Sequence, residues 1–309
     1  MELEERFSTE EACRSYLWRL RWPGGFRCPQ CGTDHAWPAG RGDLWECAVC
    51  HHQTSVIAGT VFQGTRKPLP LWFRAIWLVT SQKYGASALG LQRVLGLGTY
   101  RTAWAWLHKL RRAMVRPGRD RLHGCVEVDE AYVGGEEPGV HGRETYKKAI
   151  VAIGVEVKEP RGLGRIRMRR IPDVTAASLT RFVCEAVEPG SELRTDGWAS
   201  YNEVETKGYH RRITVVSASD EPAHVSMPGV HRVTALLKRW LLGTFQGAVS
   251  NRHLDYYLDE FTFRFNRRTS GSRGLLFYRL IQQAVQTDAV PYRSIVGGTE
   301  RAPKAFLCA

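Results

Sequence analysis

The sequence has no long run of apolar residues. None of its stretches reaches the roughly 18 consecutive apolar residues that a helix needs to cross a bilayer, and the acidic side chains of Glu2 and Glu4 precede any apolar segment. A secretory signal begins with a basic region and continues with an apolar one, so that class is excluded as well. We therefore expect a soluble, cytoplasmic protein without a membrane partner.

Acidic residues are scarce relative to basic ones. The chain has 31 Asp and Glu against 44 Lys and Arg, which gives a formal net charge of +13, and the excess is spread along the whole chain. Hydrophobic residues still make up 43% of the sequence, which is the composition of a folded protein rather than a disordered one. Because each neutralised phosphate releases bound counterions, a basic surface attracts polyanions. The charge therefore predicts a nucleic-acid partner.

The cysteines do not have the spacing of a disulfide framework. Four of the eight are scattered, and the other four form two tight pairs, Cys28 with Cys31 and Cys47 with Cys50, with fifteen residues between the pairs. Two thiolates separated by two residues reach one ion, and two such pairs complete a closed tetrahedral site. The spacing predicts a zinc ribbon with a structural Zn²⁺. The adjacent His51 and His52 are then expected to be exposed or to face phosphate.

The first part of the chain reads as three small segments. Residues 1–22 contain a helix over 7–21 with a capping-box pattern at Ser8 and Glu11. Residues 23–62 form the zinc ribbon, and residues 66–116 show helical periodicity. In that last segment two short helices, at about 86–94 and 99–114, are separated by the glycine turn at 95–98. This arrangement resembles a helix-turn-helix, and its basic character favours DNA binding.

After Gly118 the pattern changes from helical to alternating. The predicted order is three strands, a helix, a strand, a short helix, a strand and further helices, which is the order of the RNase-H-like α/β fold, a mixed sheet flanked by helices. We place this domain at residues 121–286 and leave 287–309 as a tail without a clear pattern. The predicted strands cover 126–133, 149–155, 165–170, 193–196 and 213–216, and the predicted helices cover 175–187, 229–243, 251–268 and 272–286.

Two aspartates close strands of this predicted sheet. Asp129 follows the first strand and Asp196 ends the fourth, and these two strands are neighbours in an RNase-H-like order. An aspartate within an apolar strand is costly unless it is paired or binds a metal. Carboxylates from adjacent strands can hold two divalent ions for phosphodiester chemistry. Of the flanking acids, Glu127 has the strand parity of Asp129 and can approach the site, whereas Glu130 is expected to point away.

Several segments carry a family resemblance. The sequence resembles bacterial insertion-sequence transposases of the zinc-ribbon, ISXO2-like group over residues 7–285. The resemblance rests on VEVDEAYVGG at 126–135, RTDGWASY at 194–201, the segments 230–244 and 257–268, and the cysteine pairs. It implies a DDE-type transposase with Mg²⁺ or Mn²⁺ at the catalytic site, which cleaves element ends by hydrolysis and joins the resulting 3′-hydroxyl to target DNA.

The resemblance also implies a third metal-site residue on a helix after the last strand, with a basic residue seven positions later. Lys238 fits the basic position, where it would hold a DNA phosphate, and His231 stands seven residues before it in place of glutamate. Residues seven apart share a helix face. Because imidazole suits softer ions than Mg²⁺, the histidine favours Mn²⁺. The alternative is that the third carboxylate comes from Glu260 or Asp259.

The resemblance further implies partners. The ribbon and the helical region would recognise terminal inverted repeats, and bringing two ends together implies a homo-oligomer on DNA that is nucleoid-associated when bound. The basic helix end at 264–268 would track the DNA backbone, and Trp198 would stack on an unpaired base near the cut. Two other functions stay open. One is a catalytically silent DNA-binding derivative in which His231 replaces a lost glutamate, and the other is a zinc-ribbon nuclease without joining activity.

Overall fold

The computed structural model describes residues 2–40, 43–116, 118–135, 137, 145, 147–158, 160, 162–214 and 227–297. Its helices are α1 (Glu2–Arg6), α2 (Glu10–Arg21), α3 (Leu69–Ser81), α4 (Ala88–Leu95), α5 (Tyr100–Ala113), α6 (Ala176–Ala186), α7 (Pro228–Phe245), α8 (Leu254–Phe265), α9 (Arg273–Ala284) and α10 (Tyr292–Gly297). Its strands are β1 (Ala36–Pro38), β2 (Leu44–Cys47), β3 (Gln53–Ser55), β4 (Cys125–Val133), β5 (Ala149–Val157), β6 (Leu163–Ile171), β7 (Glu192–Thr195) and β8 (His210–Ile213).

The described chain divides into two compact units. The first contains residues up to Arg116 together with Ser270 onward, and the second contains the residues from 118 to Thr269. Helix α9 therefore belongs to the first unit, where it packs on α3, although the sequence led us to place residues up to 286 in the RNase-H-like segment. Among the described residues, no helix combines the length and the apolar character needed to span a membrane.

The first unit consists of a small sheet and short capped helices. Strands β1, β2 and β3 form an antiparallel sheet in that order. Helix α2 begins after Thr9, whose hydroxyl accepts the N–H of Ala12 at 3.1 Å, so the cap is Thr9 and not Ser8 as the sequence suggested. Ser87 and Thr99 cap α4 and α5 in the same way. These caps satisfy backbone donors at helix starts and fix where each helix begins.

The second unit confirms the mixed α/β architecture. Its five strands lie in the order β6-β5-β4-β7-β8. Strands β6, β5 and β4 are antiparallel, whereas β4 with β7 and β7 with β8 are parallel. This is the predicted RNase-H-like order. The last strand lies at His210–Ile213, earlier than the predicted 213–216, of which residues 215 and 216 fall outside the described residues.

Helices cover both faces of this sheet. Helices α7 and α8 bury Val230, Trp240 and Phe261 against one face, together with strand residues such as Val151 and Val155. Helix α6 and the 3-10 helix Ala199–Lys207 cover the other face with a second apolar cluster. Strand β5 is buried along nearly its whole length because it faces an apolar layer on each side.

No pattern in residues 287–309 predicted an element, yet the described part of this tail contains the short helix α10. Ile295 is the buried residue of that helix. Six residues are too few for a periodic signal to stand out, so a single apolar anchor of this kind is visible only in the folded chain.

Candidate metal sites and catalytic edge

The four paired cysteines come together in the first unit. Their sulfur atoms all lie within 4.8 Å of one another. Cys28 Sγ lies 3.6 Å from Cys50 Sγ, and Cys31 Sγ lies 3.5 Å from Cys47 Sγ. A tetrahedral zinc ion with Zn–S bonds of about 2.3 Å requires sulfurs about 3.8 Å apart. The donor set and its spacing therefore fit a structural Zn²⁺, as the cysteine pattern predicted.

Backbone N–H groups contact the sulfur atoms of Cys28 and Cys47. The N–H groups of Val49 and Cys50 each lie 3.4 Å from Cys47 Sγ. Burial opposes ionisation of Cys28, but the backbone N–H groups of Cys31 and Gln30, together with the thiols of Cys50 and Cys31, lower the pKa of its thiol to about 6, whereas the neighbouring cysteines raise the pKa of Cys50. Because the thiolate is the form that binds zinc, the backbone N–H groups favour the ligand form of Cys28 and Cys47.

His51 next to the cluster has a protein partner. Its Nδ1 lies 3.2 Å from Glu46 Oε1, and its N–H donates to the carbonyl of Cys47. The side chain is mostly exposed, in agreement with the expectation that it is not a zinc ligand. His52 is partly buried. The four cysteines complete the coordination without either histidine.

Asp129 lies in the middle of β4 and not at its end as the sequence suggested, and Asp196 directly follows the last residue of β7. In the pairing of β4 with β7, Cys125 is opposite Glu192 and Glu127 is opposite Arg194. The same register carried two residues beyond the last pair sets Asp129 abreast of Asp196, on the same side of the sheet. Asp129 Oδ1 accepts the N–H of Glu130 at 2.9 Å, and Asp196 Oδ1 accepts the N–H of Trp198 at 3.0 Å.

A buried tyrosine, Tyr201, lies near these acids. The hydroxyl of Tyr201 donates to Glu130 Oε2 at 3.0 Å. Burial raises the pKa of Tyr201 well above its usual value, and the negative charges of Glu130, Asp129 and Asp196 raise it further. All three carboxylates therefore lie within electrostatic range of one hydroxyl. Tyr201 belongs to the apolar cluster under α6, so Glu130 faces away from the side that carries Asp129, as expected.

Glu127 has a role that the sequence reading missed. Its carboxylate, 1% exposed, accepts the N–H of Val230 at 2.7 Å and that of Gly229, in the first turn of α7. Burial raises the pKa of Glu127, and these N–H groups oppose the rise. Negative charge at a helix N-terminus is favourable. Through Glu127, two residues before Asp129, strand β4 thus anchors the start of α7. The sequence signal of that start is Pro228, because proline is common in the first helical turn.

His231 and Lys238 lie on this anchored helix. His231 is the residue after Val230 and is partly buried, and Lys238 is exposed two turns later. Among the described residues, the cysteine cluster is the one group of three or more His, Cys, Asp or Glu side chains close enough together to hold an ion. The side chains of Asp129, Asp196 and His231 do not form such a group, so a three-residue catalytic site stays a prediction.

The alternative third carboxylate already has a cationic partner. Glu260 is 1% exposed, and its Oε1 lies 2.9 Å from both Nε and Nη2 of Arg264 one turn later in α8. Asp259 is partly buried on the same helix. The charge of Glu260 is thus balanced inside the second unit.

The basic end of α8 is engaged with the protein itself. Asn266 accepts the N–H of Ile166 at 2.7 Å and donates to its carbonyl at 3.1 Å, which pairs the outer edge of β6. Arg268 donates to the carbonyl of Gly164 at 3.1 Å, and Arg267 to that of Phe263 at 3.3 Å. An edge strand exposes unpaired backbone groups, and Asn266 and Arg268 satisfy some of those of β6, whereas Arg267 contacts its own helix. The contact of this segment with DNA stays a prediction.

The helical part of the first unit is rich in basic residues. No Asp or Glu occurs between Glu46 and Asp120. Lys83, Arg93 and Arg101 are exposed on or beside α4 and α5, and Tyr100 is 53% exposed at the start of α5. Beyond that first turn most side chains of α5 are buried. A basic surface on these helices therefore comprises α4 and the first turn of α5.

Two stretches of the chain match known family models. Residues 8–53 match the model described as a transposase zinc-ribbon domain, and residues 121–266 match the model described as an ISXO2-like transposase domain. The first stretch contains the clustered cysteines, and the second contains Asp129, Asp196 and His231. The comparison with curated proteins finds no match.

Proposed function

Because the chain belongs to the ISXO2-like family of transposases, we propose that it cuts DNA at the ends of an insertion sequence and joins them to target DNA. In this proposal Asp129, Asp196 and His231 hold divalent ions, Mg²⁺ or Mn²⁺, at the catalytic edge of the sheet. Such ions neutralise charge on the attacking and leaving oxygens of a phosphodiester. The zinc ribbon has a structural role.

The observation that carries the proposal is the parallel pairing of β4 with β7. Continued two residues beyond its last pair, this register would bring Asp129, within β4, abreast of Asp196, just past the end of β7, about 5 Å apart across the two strands by normal strand spacing. Carboxylate oxygens are the ligands that Mg²⁺ and Mn²⁺ prefer. A backbone N–H contacts one oxygen of each aspartate, that of Glu130 at Asp129 and that of Trp198 at Asp196, and so helps to orient both carboxylates.

His231 is the better supported third residue. It follows Val230, whose N–H is held by Glu127 on the Asp129 side of β4, so its helix begins beside the aspartates. Glu260 is the weaker candidate because Arg264 neutralises it. We expect His231→Ala to abolish nicking in Mn²⁺ and Glu260→Gln to retain it. The opposite pattern would identify Glu260 as the third residue of the metal site.

DNA binding is assigned to the basic helices. The stretch without acidic residues supplies exposed Lys83, Arg93 and Arg101, which suit phosphate contacts. Lys238, exposed on α7 two turns after His231, suits a phosphate near the cut. Recognition of two terminal inverted repeats by one assembly requires more than one copy, so we propose a homo-oligomer on DNA.

The direct test is metal-dependent nicking of DNA that carries the element end. Asp129→Ala and Asp196→Ala should each remove nicking while binding to the same DNA is retained, and Glu203→Ala, an exposed acid on the 3-10 helix, serves as the control. Strand joining is scored separately with a pre-cut 3′-hydroxyl end. Nicking that persists in either aspartate variant contradicts the assignment.

His231 itself favours one competing function. Where the family pattern places glutamate, an imidazole could mark a protein that binds element ends without cutting them. Such a protein would bind DNA equally with or without Asp129 and show no nicking in Mg²⁺ or Mn²⁺. Nicking without joining would instead identify a nuclease. Inverted repeats and short direct duplications around the coding region would identify a mobile element.

A further inference from the structure

Arg211, on strand β8, holds the loop that carries Asp196. Its Nε donates to Thr195 Oγ1 at 2.8 Å. Its Nη2 donates to the backbone carbonyl of Asp196 at 2.8 Å and to that of Trp198 at 3.1 Å. Its Nη1 donates to the side-chain oxygen of Asn202. One guanidinium therefore ties the end of β7, the aspartate and the start of the following helix together.

Arg211 makes these contacts just past the end of the ladder between β7 and β8. The ladder between β7 and β8 ends at the pair Thr195 and Ile213, so Asp196 is the first residue beyond it. Arg211 is fixed within the ladder, opposite Leu193. A planar guanidinium presents several donors in a rigid fork, which a lysine ammonium does not. The backbone of Asp196 is thus positioned from the neighbouring strand.

We propose that Arg211 is a positioning residue that keeps Asp196 abreast of Asp129 and thereby sets the affinity of the catalytic site for divalent ions. The inference rests on the proposed function. Arg211 contacts Asp196 through its backbone carbonyl. Outer partners that orient a metal ligand typically change metal affinity by about 10-fold to 100-fold when they are removed.

Three variants separate geometry from charge. Arg211→Gln removes the charge and most of the donors, and Arg211→Lys keeps the charge but loses the fork. Lys207→Gln is the charge control, because Lys207 is an exposed cation at the end of the 3-10 helix Ala199–Lys207, which covers the face of the sheet opposite to the Asp196 side chain. Direct Mn²⁺ binding to the zinc-loaded full chain is followed by electron paramagnetic resonance, and nicking is titrated with Mn²⁺ in parallel.

We expect Arg211→Gln and Arg211→Lys to bind Mn²⁺ about 10-fold to 100-fold more weakly. Nicking by both should recover substantially at saturating Mn²⁺, while Lys207→Gln binds as the unchanged protein does. A general loss of structure would lower the saturated rate without this recovery. It would also shift thermal unfolding, which is measured on every variant.

Each failure points to a different error. If Arg211→Gln binds Mn²⁺ as tightly as the unchanged protein, or if Arg211→Lys restores full affinity, the positioning role is overturned while the proposed function stands. If the unchanged protein and Asp129→Ala bind Mn²⁺ and nick DNA equally, the proposed function fails and the inference fails with it.

Discussion

Replacing Gly229 with alanine is expected to disturb the anchor of α7 on the sheet. An ideal Cβ at residue 229 lies 2.8 Å from Glu127 Oε2 and 3.0 Å from Leu163 Cδ2. The carboxylate cannot move aside at little cost, because it is buried and accepts the N–H of Val230 at 2.7 Å. Gly243, in the same helix, has no atom within 4 Å of the corresponding Cβ and provides the matched control.

The two substitutions should change the free energy of unfolding in opposite directions. A hydrogen bond to a charged group contributes about 1.5–3 kcal/mol, and alanine gains at most about 1 kcal/mol over glycine in a helix. The expected net change for Gly229→Ala is a loss of about 1–2 kcal/mol, whereas Gly243→Ala should gain about 0.5–1 kcal/mol. For a domain of 150–250 residues, 1 kcal/mol shifts the midpoint by about 2–4 °C.

The measurement is thermal unfolding of the zinc-loaded chain, repeated in urea. The double variant Gly229→Ala with Glu127→Ala completes a cycle, and the penalty of the added methyl should shrink by about 1–2 kcal/mol once the carboxylate is absent, because neighbouring residues couple. If Gly229→Ala is as stable as Gly243→Ala, the close approach of strand and helix is not a constraint. A penalty that persists unchanged without Glu127 would also refute the explanation.

Three further outcomes follow from other contacts. A strong zinc chelator should unfold the ribbon. Because the ring centroids of Trp18 and Trp45 lie 4.5 Å apart, the unfolding should separate them and change the tryptophan fluorescence. An unchanged spectrum after zinc release would contradict this prediction. Burial raises the pKa of Glu156, but its contacts with Arg165 lower it more, so the pKa falls below the usual 4.5. The stabilising effect of the ionised Glu156 should be complete above pH 4.5 and should disappear as the pH falls through the lowered pKa. Glu156→Gln should therefore flatten this acid dependence of the unfolding free energy. Asn266→Ala leaves the N–H and the carbonyl of Ile166 on edge strand β6 without their side-chain partner and should lower the free energy of unfolding in urea by about 1–3 kcal/mol. A loss below about 0.5 kcal/mol would mean that water replaces the amide.

The sequence predicted those features that follow from local spacing or from periodicity. The two cysteine pairs indicated the zinc site because a ligand pair two residues apart needs no information from distant residues. The alternation of apolar residues in β4 and β5 indicated the sheet, whereas the catalytic role of Asp129 and Asp196 stays a prediction. Boundaries were less certain, as the start of α2 at Thr9 and the position of β8 illustrate.

What only the tertiary structure decided is which side chains satisfy which backbone groups. Glu127 reaches across 103 residues to the start of α7, Asn266 reaches 100 residues back to β6, and Arg211 reaches the carbonyl of Asp196. A helix start, a strand edge and a strand end each leave polar groups that must find partners. The sequence determines that such groups exist, but their partners are selected by packing. Glu127, two residues before Asp129, therefore anchors a helix start, and Asn266 and Arg268 cover the edge of a sheet.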